Sequence, residues 1–364
     1  MNFDEARAQF PVLDRLAYLN AGSMGPLARA TVDAMVARQR TDLEQGRGGR
    51  PYIDEMLALR NRVRAGLAHV IGVPADNVAL TPSTTEGCNI VLAGLRLGPD
   101  DEVVTTDTEH FGLLGPLQAS RARIRVARVR LQPPEQALET IRAEIGPRTR
   151  LLALSHVSWQ TGNVLPVEEL RDETALPMLV DGAQTAGAVA VDASRYDFYT
   201  VSGQKWLCGP DSTGALYVRE PEQLDVALPT YFSQITHDEA GTYTPREGAA
   251  RFDAGWIPTA SLAGVEAALG TVPHWAYHHA AEIAARCWTR LTERFRVVTA
   301  PGQATLVSFA AEGDAAEEAA RLYEHGVVVR DMPGTGWLRV SCSWWTSDGD
   351  LDRLMGALSH AATV

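Results

Sequence analysis

The sequence is poor in the features that mark several large classes of protein. Its four cysteines, Cys88, Cys208, Cys287 and Cys342, stand far apart, with no CxxC pair and no Cys/His spacing suited to zinc. Neither a disulfide-stapled scaffold nor a metal site is expected, and the four are read as reduced thiols. No run approaches the ~20 apolar residues needed to cross a bilayer. Residues 1–20 carry Asp4, Glu5, Arg7, Asp14 and Arg15 and lack an apolar stretch of export-signal length. These absences point to a cytoplasmic protein with no membrane partner. Positive charge is also short. Lys plus Arg is 33 and Asp plus Glu is 45, a formal net charge of −12. That balance argues against sequence-independent binding to nucleic acid or to an anionic membrane.

What is present is ordinary packing material. Apolar residues make up 45% of the 364 and charged residues 21%, which excludes a disordered or low-complexity chain. The length suggests about two domains. Strand-like runs at Asn77–Thr81, Glu102–Thr106, Ile124–Leu131, Leu151–His156, Met178–Asp181, Tyr196–Val201 and Gly214–Val218 alternate with helical periodicity. The helical stretches are Asp54–Val70, Thr85–Leu95, Pro134–Ile145 and Val167–Glu173. Such alternation predicts an α/β fold around a largely parallel sheet. After about residue 255 the pattern changes. An Ala-rich helical tract, Thr259–Phe295, leads into strands at Thr305–Phe309, Val327–Val329 and Trp337–Ser341. Helices are expected at Ala315–His325 and Gly349–Ala361, which together read as a small α+β domain. The expected division is 1–255 and 256–364. Gly46–Pro51 and Gln234–Gly248 read as linkers, the second long enough to suggest a functional or interface loop.

The most informative stretch is Leu179–Val218. It places a carboxylate, Asp181, at the end of a buried strand, and Lys205 at the end of another, with small residues around both. In an open α/β sheet, ligands sit outside the carboxyl ends of the strands. Taken alone, a Lys/Asp pair there is more often a structural salt bridge. It is also what a pyridoxal phosphate site requires: an amine to form an imine, and an acid to keep the ring nitrogen protonated. Upstream, Ser83-Thr84-Thr85 before a helix offers hydroxyls and N–H groups, either as a simple cap or as a phosphate cradle.

The surrounding motifs resemble the class V aminotransferases, the fold-type I pyridoxal-phosphate family that includes cysteine desulfurases, selenocysteine lyases, kynureninases and isopenicillin N epimerases. The resemblance rests on Val180-Asp181-Gly182-Ala183-Gln184, Ser202-Gly203-Gln204-Lys205-Trp206, Gly209-Pro210 and Gly214-Ala215-Leu216-Tyr217-Val218. It extends more thinly from Tyr18 to the C-terminal helix. It implies a large domain with a mostly parallel seven-stranded sheet flanked by helices, plus a small α+β C-terminal domain.

Carried over position by position, the resemblance makes Lys205 the imine lysine, Asp181 the ring-nitrogen partner and Gln184 the partner of the ring hydroxyl. Thr84, Thr85, Ser202 and Gln204 become phosphate ligands, Gln204 standing where desulfurases have His. His110 stacks on the ring, or Phe111 if the register slips by one. Arg339 clamps the substrate carboxylate, with Arg330 as second candidate, and Asn20 lines the substrate side. Trp159 stands where the family has Asn, which puts a desulfurase-like substrate pose in question. Trp256 replaces a Thr that binds the partner subunit's phosphate; Thr259 or Ser261 is a possible substitute.

The resemblance also implies a homodimer with a shared active site and a small amino-acid substrate. The Arg330–Gly336 loop lacks the nucleophilic cysteine of desulfurases, so persulfide formation on the enzyme is not expected. The expected reaction is β-elimination by a C–S lyase acting on a cysteine derivative through a Lys205 Schiff base. Epimerase and aminotransferase are the alternatives. A protein of this fold that binds without turnover is disfavoured by the presence of Lys205, and an acidic scaffold with a coincidental motif would be colourless.

Overall fold

The structure, a computed structural model, describes residues 1–359. Seven strands form one sheet: β1 Val78–Thr81, β2 Glu102–Thr106, β3 Arg123–Ala127, β4 Thr149–Ser155, β5 Met178–Asp181, β6 Phe198–Ser202 and β7 Gly214–Val218. Their spatial order is β1-β7-β6-β5-β4-β2-β3. Strands β6, β5, β4, β2 and β3 run parallel, and β7 is antiparallel to both its neighbours. The central strands are buried along their whole length, as expected where helices cover both faces of a sheet. One apolar core on the sheet holds Leu67, Leu154, Val180 and Val265; another holds Val91, Leu113, Leu151 and Leu179. The chain reverses its direction of winding between β2 and β4, which opens a crevice at their carboxyl ends.

A second sheet of three antiparallel strands, β8 Leu306–Ala310, β9 Arg330–Met332 and β10 Trp337–Ser341, carries the C-terminal lobe. Its core takes in Leu338, Leu351 and Leu354, together with Ala17 and Leu19 from the N-terminal segment. Ala17–Tyr18 pairs in parallel with Val327–Val328. The N-terminal residues thus reach the far lobe before the large sheet begins.

Several expected elements differ in the structure. The tract Thr259–Phe295 is two helices, Thr259–Leu269 and Ala276–Thr292. Gly270 and Pro273 fall between them, the first a weak helix former and the second without an N–H to donate. Ile257, Leu262 and Val265 join the core over the large sheet. The strand expected over Ile124–Leu131 leaves the ladder after Ala127, because Asp107 Oδ1 accepts the N–H groups of Val129 and Arg130. Within the Gln234–Gly248 linker lies a hairpin, Gln234–His237 with Tyr243–Pro245. Helix Arg29–Gln45 had no sequence signal, since Val32, Val36 and Leu43 are exposed and mark no inward stripe. The next helix begins at Gly49, inside the expected Gly46–Pro51 linker. The last helix spans Asp348–Ser359, and the expected residues beyond it lie outside those described. Among the described residues no helix is long and apolar enough to cross a membrane.

Candidate active site

The residues singled out from the sequence converge at the carboxyl ends of β2, β4, β5 and β6. Asp181 ends β5 and is buried. Its Oδ1 accepts from Ala183 N (2.9 Å) and Thr200 Oγ1 (3.2 Å), and no basic group lies within 4.0 Å of it among the described residues. Lys205 follows β6 in a tight turn closed by Cys208 N–H to the Lys205 carbonyl (3.0 Å) and Gly209 N–H to the Gly203 carbonyl (2.8 Å). Cys208 sits at φ 54°, a left-handed conformation that costs energy for a residue with a Cβ. Desolvation lowers the Lys205 amine to about 8, against the opposing pull of Asp181; Arg339 lowers it further. An amine with a pKa near 8 is roughly one-tenth uncharged at pH 7, far more than an ordinary lysine, which favours imine and proton-transfer chemistry.

Lys205 is also the only lysine in the chain, every other basic residue among the 33 being arginine. This signal was present in the sequence but hidden in the combined count of basic residues.

On the opposite wall, helix Thr84–Gly94 is capped by Ser83, whose Oγ accepts from Glu86 N (3.2 Å). The N–H groups of Thr84 and Thr85 have no acceptor within the helix, which leaves an anion-binding end. Ser202 Oγ donates to Gln204 Oε1 (2.8 Å), leaving the Gln204 amide hydrogens free to donate. Gln184 bridges two elements: Nε2 donates to the Gly22 carbonyl (2.9 Å), and Oε1 accepts from Trp206 Nε1 (3.0 Å). The N-terminal segment closes over this region. A Cβ on Gly25 would lie 2.1 Å from the Lys205 carbonyl, so that backbone approach needs glycine, and one on Gly22 would press on Arg339 Nη2 at 2.9 Å. Asn20 Oδ1 is buried there without a partner.

His110 caps helix Phe111–Ala119, its Nδ1 accepting from Gly112 N (3.0 Å), while Phe111 is 77% exposed. The imidazole packs edge-on to Trp159 with centroids 4.9 Å apart. Although part of the residue meets solvent, packing around the ring and then the Lys205 charge lower its pKa. Trp159 therefore belongs to this region. Trp256 does not join it within one chain: it is 64% exposed and lies edge-on to Phe232. Thr259 Oγ1 donates instead to Asp42.

Glu109, the neighbour of His110 in the chain, is a further member of this region. It spans the crevice where the ladder between β2 and β4 ends. Oε1 accepts from Thr106 Oγ1 (2.6 Å), and Oε2 accepts from Ser155 N (2.9 Å) and Ser155 Oγ (2.5 Å). Burial raises its carboxyl from 4.5 to about 7, outweighing those bonds, and Asp181 adds to the rise. Between pH 4.5 and 7 the unfolded state ionises while the folded state keeps the proton. This carboxyl therefore makes stability fall as pH rises through that window. We expect the thermal midpoint of Glu109→Gln to gain several degrees on wild type between pH 5 and pH 8. Parallel pH curves from scanning calorimetry would refute the assignment.

Arg339, on β10, is 1% exposed. Its Nη1 donates to the Trp159 carbonyl (2.8 Å) and Nη2 to Ser23 Oγ (3.1 Å); no carboxylate lies within 4.0 Å. Arg330, on β9, is its directly opposed cross-strand partner. Burial and the Arg330 charge together depress the Arg339 guanidinium to about 9. Like charges opposed across two strands destabilise a sheet unless something lies between them. Among the described residues no group of three or more His, Cys, Asp or Glu could hold a metal.

These residues fit pyridoxal phosphate: one amine, a buried carboxylate lacking a cation, and a helix end with free N–H groups. Fold and site together define a pyridoxal-phosphate-dependent enzyme of fold type I. The chain belongs to the class V aminotransferase family, whose model, "Aminotransferase class-V", matches residues 20–348. It is 29% identical to an isopenicillin N epimerase from Streptomyces clavuligerus, over 98% of both chains. It is 31% identical to a cysteine desulfurase from Serratia proteamaculans (strain 568), over 74% of this chain and 71% of that one. Among solved structures it resembles the cystine C–S lyase C-DES in complex with its reaction product cysteine persulfide. The TM-score there is 0.88 at 28% identity, covering 96% of this chain and 99% of that one.

Proposed function

We propose that the protein is a β-eliminating C–S lyase acting on a cysteine derivative that carries a second acidic group, such as cystine. The observation that carries this reading is the Arg339/Arg330 pair, opposed across β9 and β10, with no carboxylate within 4.0 Å of either guanidinium among the described residues. A planar guanidinium binds a carboxylate through two parallel hydrogen bonds. One arginine suits the α-carboxylate and the other the distal one. The likeness to the cystine C–S lyase supports the same assignment.

In this reading Thr84, Thr85, Ser202 and Gln204 hold the cofactor phosphate and Asp181 faces the ring nitrogen. Gln184 meets the ring hydroxyl, His110 covers the ring face, and Asn20 lines the substrate side. Bound pyridoxal phosphate supplies an electron sink for the pair left when the substrate Cα loses its proton. Lys205 Nζ would hold the cofactor and, once freed by the substrate amine, would take the Cα proton. The Cβ–S bond breaks, sulfur leaving with the electron pair, and the three-carbon remainder hydrolyses to pyruvate and ammonia. Arg339 orients the Cα–H bond toward Lys205.

All four cysteines are buried, and burial raises the thiols of Cys88 and Cys208 well above their ordinary value. None suits the role of a sulfur acceptor. Incubation with cystine and other cysteine conjugates is expected to release pyruvate and ammonia in equal amounts, and replacing the cysteines one at a time by Ser is expected to leave that rate within a few-fold. A second reading, amino-acid epimerisation, is supported by the 98% coverage of the isopenicillin N epimerase. It predicts inversion at Cα without pyruvate. An oxo acid formed only with an acceptor present means transamination.

We further propose a cytoplasmic homodimer, each chain divided into a cofactor domain, 1–255, and a linking helix with a small domain, 256–364. Exposed Leu43, Tyr231, Ile235 and Trp256 supply apolar surface of the kind an interface covers. Sedimentation should give twice the chain mass, and a monomer active at high dilution would refute the dimer.

A further inference from the structure

A cavity of about 500 Å³ lies between the loop after β3 and the strands of the C-terminal lobe, away from Lys205. Two arginines line it, one from each side: Arg130 and Arg296. Arg130 is fixed in place. Its backbone N–H donates to Asp107 Oδ1 (3.0 Å) and its Nη2 to the Asp107 carbonyl (2.6 Å), while its buried Nε has no partner. Neither guanidinium has a carboxylate within 4.0 Å among the described residues, and Glu135, the one acidic lining residue, pairs with neither. Trp337, together with prolines from both sides and two valines from the C-terminal side, supplies apolar wall.

The floor is already satisfied. Successive groups of the 159–164 loop are bonded to the C-terminal lobe. The Trp159 carbonyl accepts from Arg339 (2.8 Å), that of Gln160 from Ser308 Oγ (2.6 Å), and that of Thr161 from Thr299 Oγ1 (2.5 Å). Asn163 Oδ1 accepts from Ala300 N and Gln303 Oε1 from Val164 N, each at 2.9 Å. Two polar lining side chains, Asn163 and Gln303, are therefore occupied as acceptors, which leaves the two guanidiniums, the exposed Glu135 carboxylate and the apolar wall.

We propose that this cleft is a second binding site, for a small organic anion whose charged head group sits between Arg130 and Arg296 and whose apolar body lies against Trp337. Uncompensated guanidiniums around a partly enclosed cleft focus a positive potential. A carboxylate or phosphate there gains charge-assisted hydrogen bonds from both sides. A concave, mostly apolar wall with a few convergent polar groups is the usual form of a small-molecule site. The site is separate from the Arg330/Arg339 pair, and it ties the two sides of the cleft together when filled.

The test is calorimetric titration of the cofactor-loaded enzyme with benzoate and with phenyl phosphate, and with benzamide as the neutral isostere of benzoate. Saturable binding of at least one anion is expected, with benzamide at least tenfold weaker than benzoate if benzoate is the one that binds. Arg130→Gln and Arg296→Gln should each weaken the anion at least tenfold. Arg296 is exposed, so its variant reads the site even if Arg130→Gln folds poorly. Arg330→Gln should leave this binding in place. The proposal is overturned if neither anion saturates, if Arg296→Gln binds as wild type does, or if only Arg330→Gln loses the binding.

Discussion

Lys205→Ala is expected to lose turnover by a factor of at least ~10³, the range reached when a positioned proton-transfer group is removed. The expectation is sharpened by composition. With one lysine in the chain, no neighbouring side-chain amine can take over, and the only other primary amine is the N-terminus. The amine is also prepared for its task. Protein surrounds it and lowers its pKa to about 8, while the Asp181 carboxylate keeps the shift from going further. The variant should still bind the cofactor, because the proposed phosphate cradle at Thr84, Thr85 and Ser202 is untouched. Turnover above one hundredth of wild type would show that another group does the work.

Arg339→Lys is expected to lower kcat/KM for the amino-acid substrate at least tenfold. Charged hydrogen bonds contribute roughly 1.5–3 kcal/mol each, and each 1.4 kcal/mol is about a factor of ten. A lysine supplies a point charge where the site offers a planar fork. Two of the Arg339 nitrogens are already held, by the Trp159 carbonyl and Ser23 Oγ, so the guanidinium is fixed before substrate arrives. Its burial without a counter-ion is costly, and a substrate carboxylate removes that cost. An analogue lacking the carboxylate should discriminate little between wild type and variant. If kcat/KM is unchanged for the natural substrate, Arg339 is structural.

The parts of the site that were legible in the sequence are those encoded in short segments. Asp181 and Lys205 sit at the ends of apolar strand runs, with small residues beside them, and those runs alone placed both at the carboxyl ends of strands. Ser83-Thr84-Thr85 announced a helix start, which the Ser83 cap confirms. What was not legible depends on distant packing. The Glu109 carboxyl is raised because the fold buries it between Thr106 on β2 and Ser155 on β4, with the Asp181 charge nearby. Trp159 reached His110 only through the fold. Arg330 read as loop, yet it lies on β9 directly opposite Arg339, a pairing set by strand register. Helix Arg29–Gln45 escaped notice because Val32, Val36 and Leu43 face outward, where an interface rather than the core would select them.

The most direct test of the account is reduction of the native, cofactor-loaded protein with borohydride, followed by proteolysis and mass spectrometry. The cofactor's added mass is expected on the single peptide containing Lys205 and nowhere else. Label at the N-terminal amine, or a protein that takes up pyridoxal phosphate yet retains none after reduction, would contradict the assignment of this site.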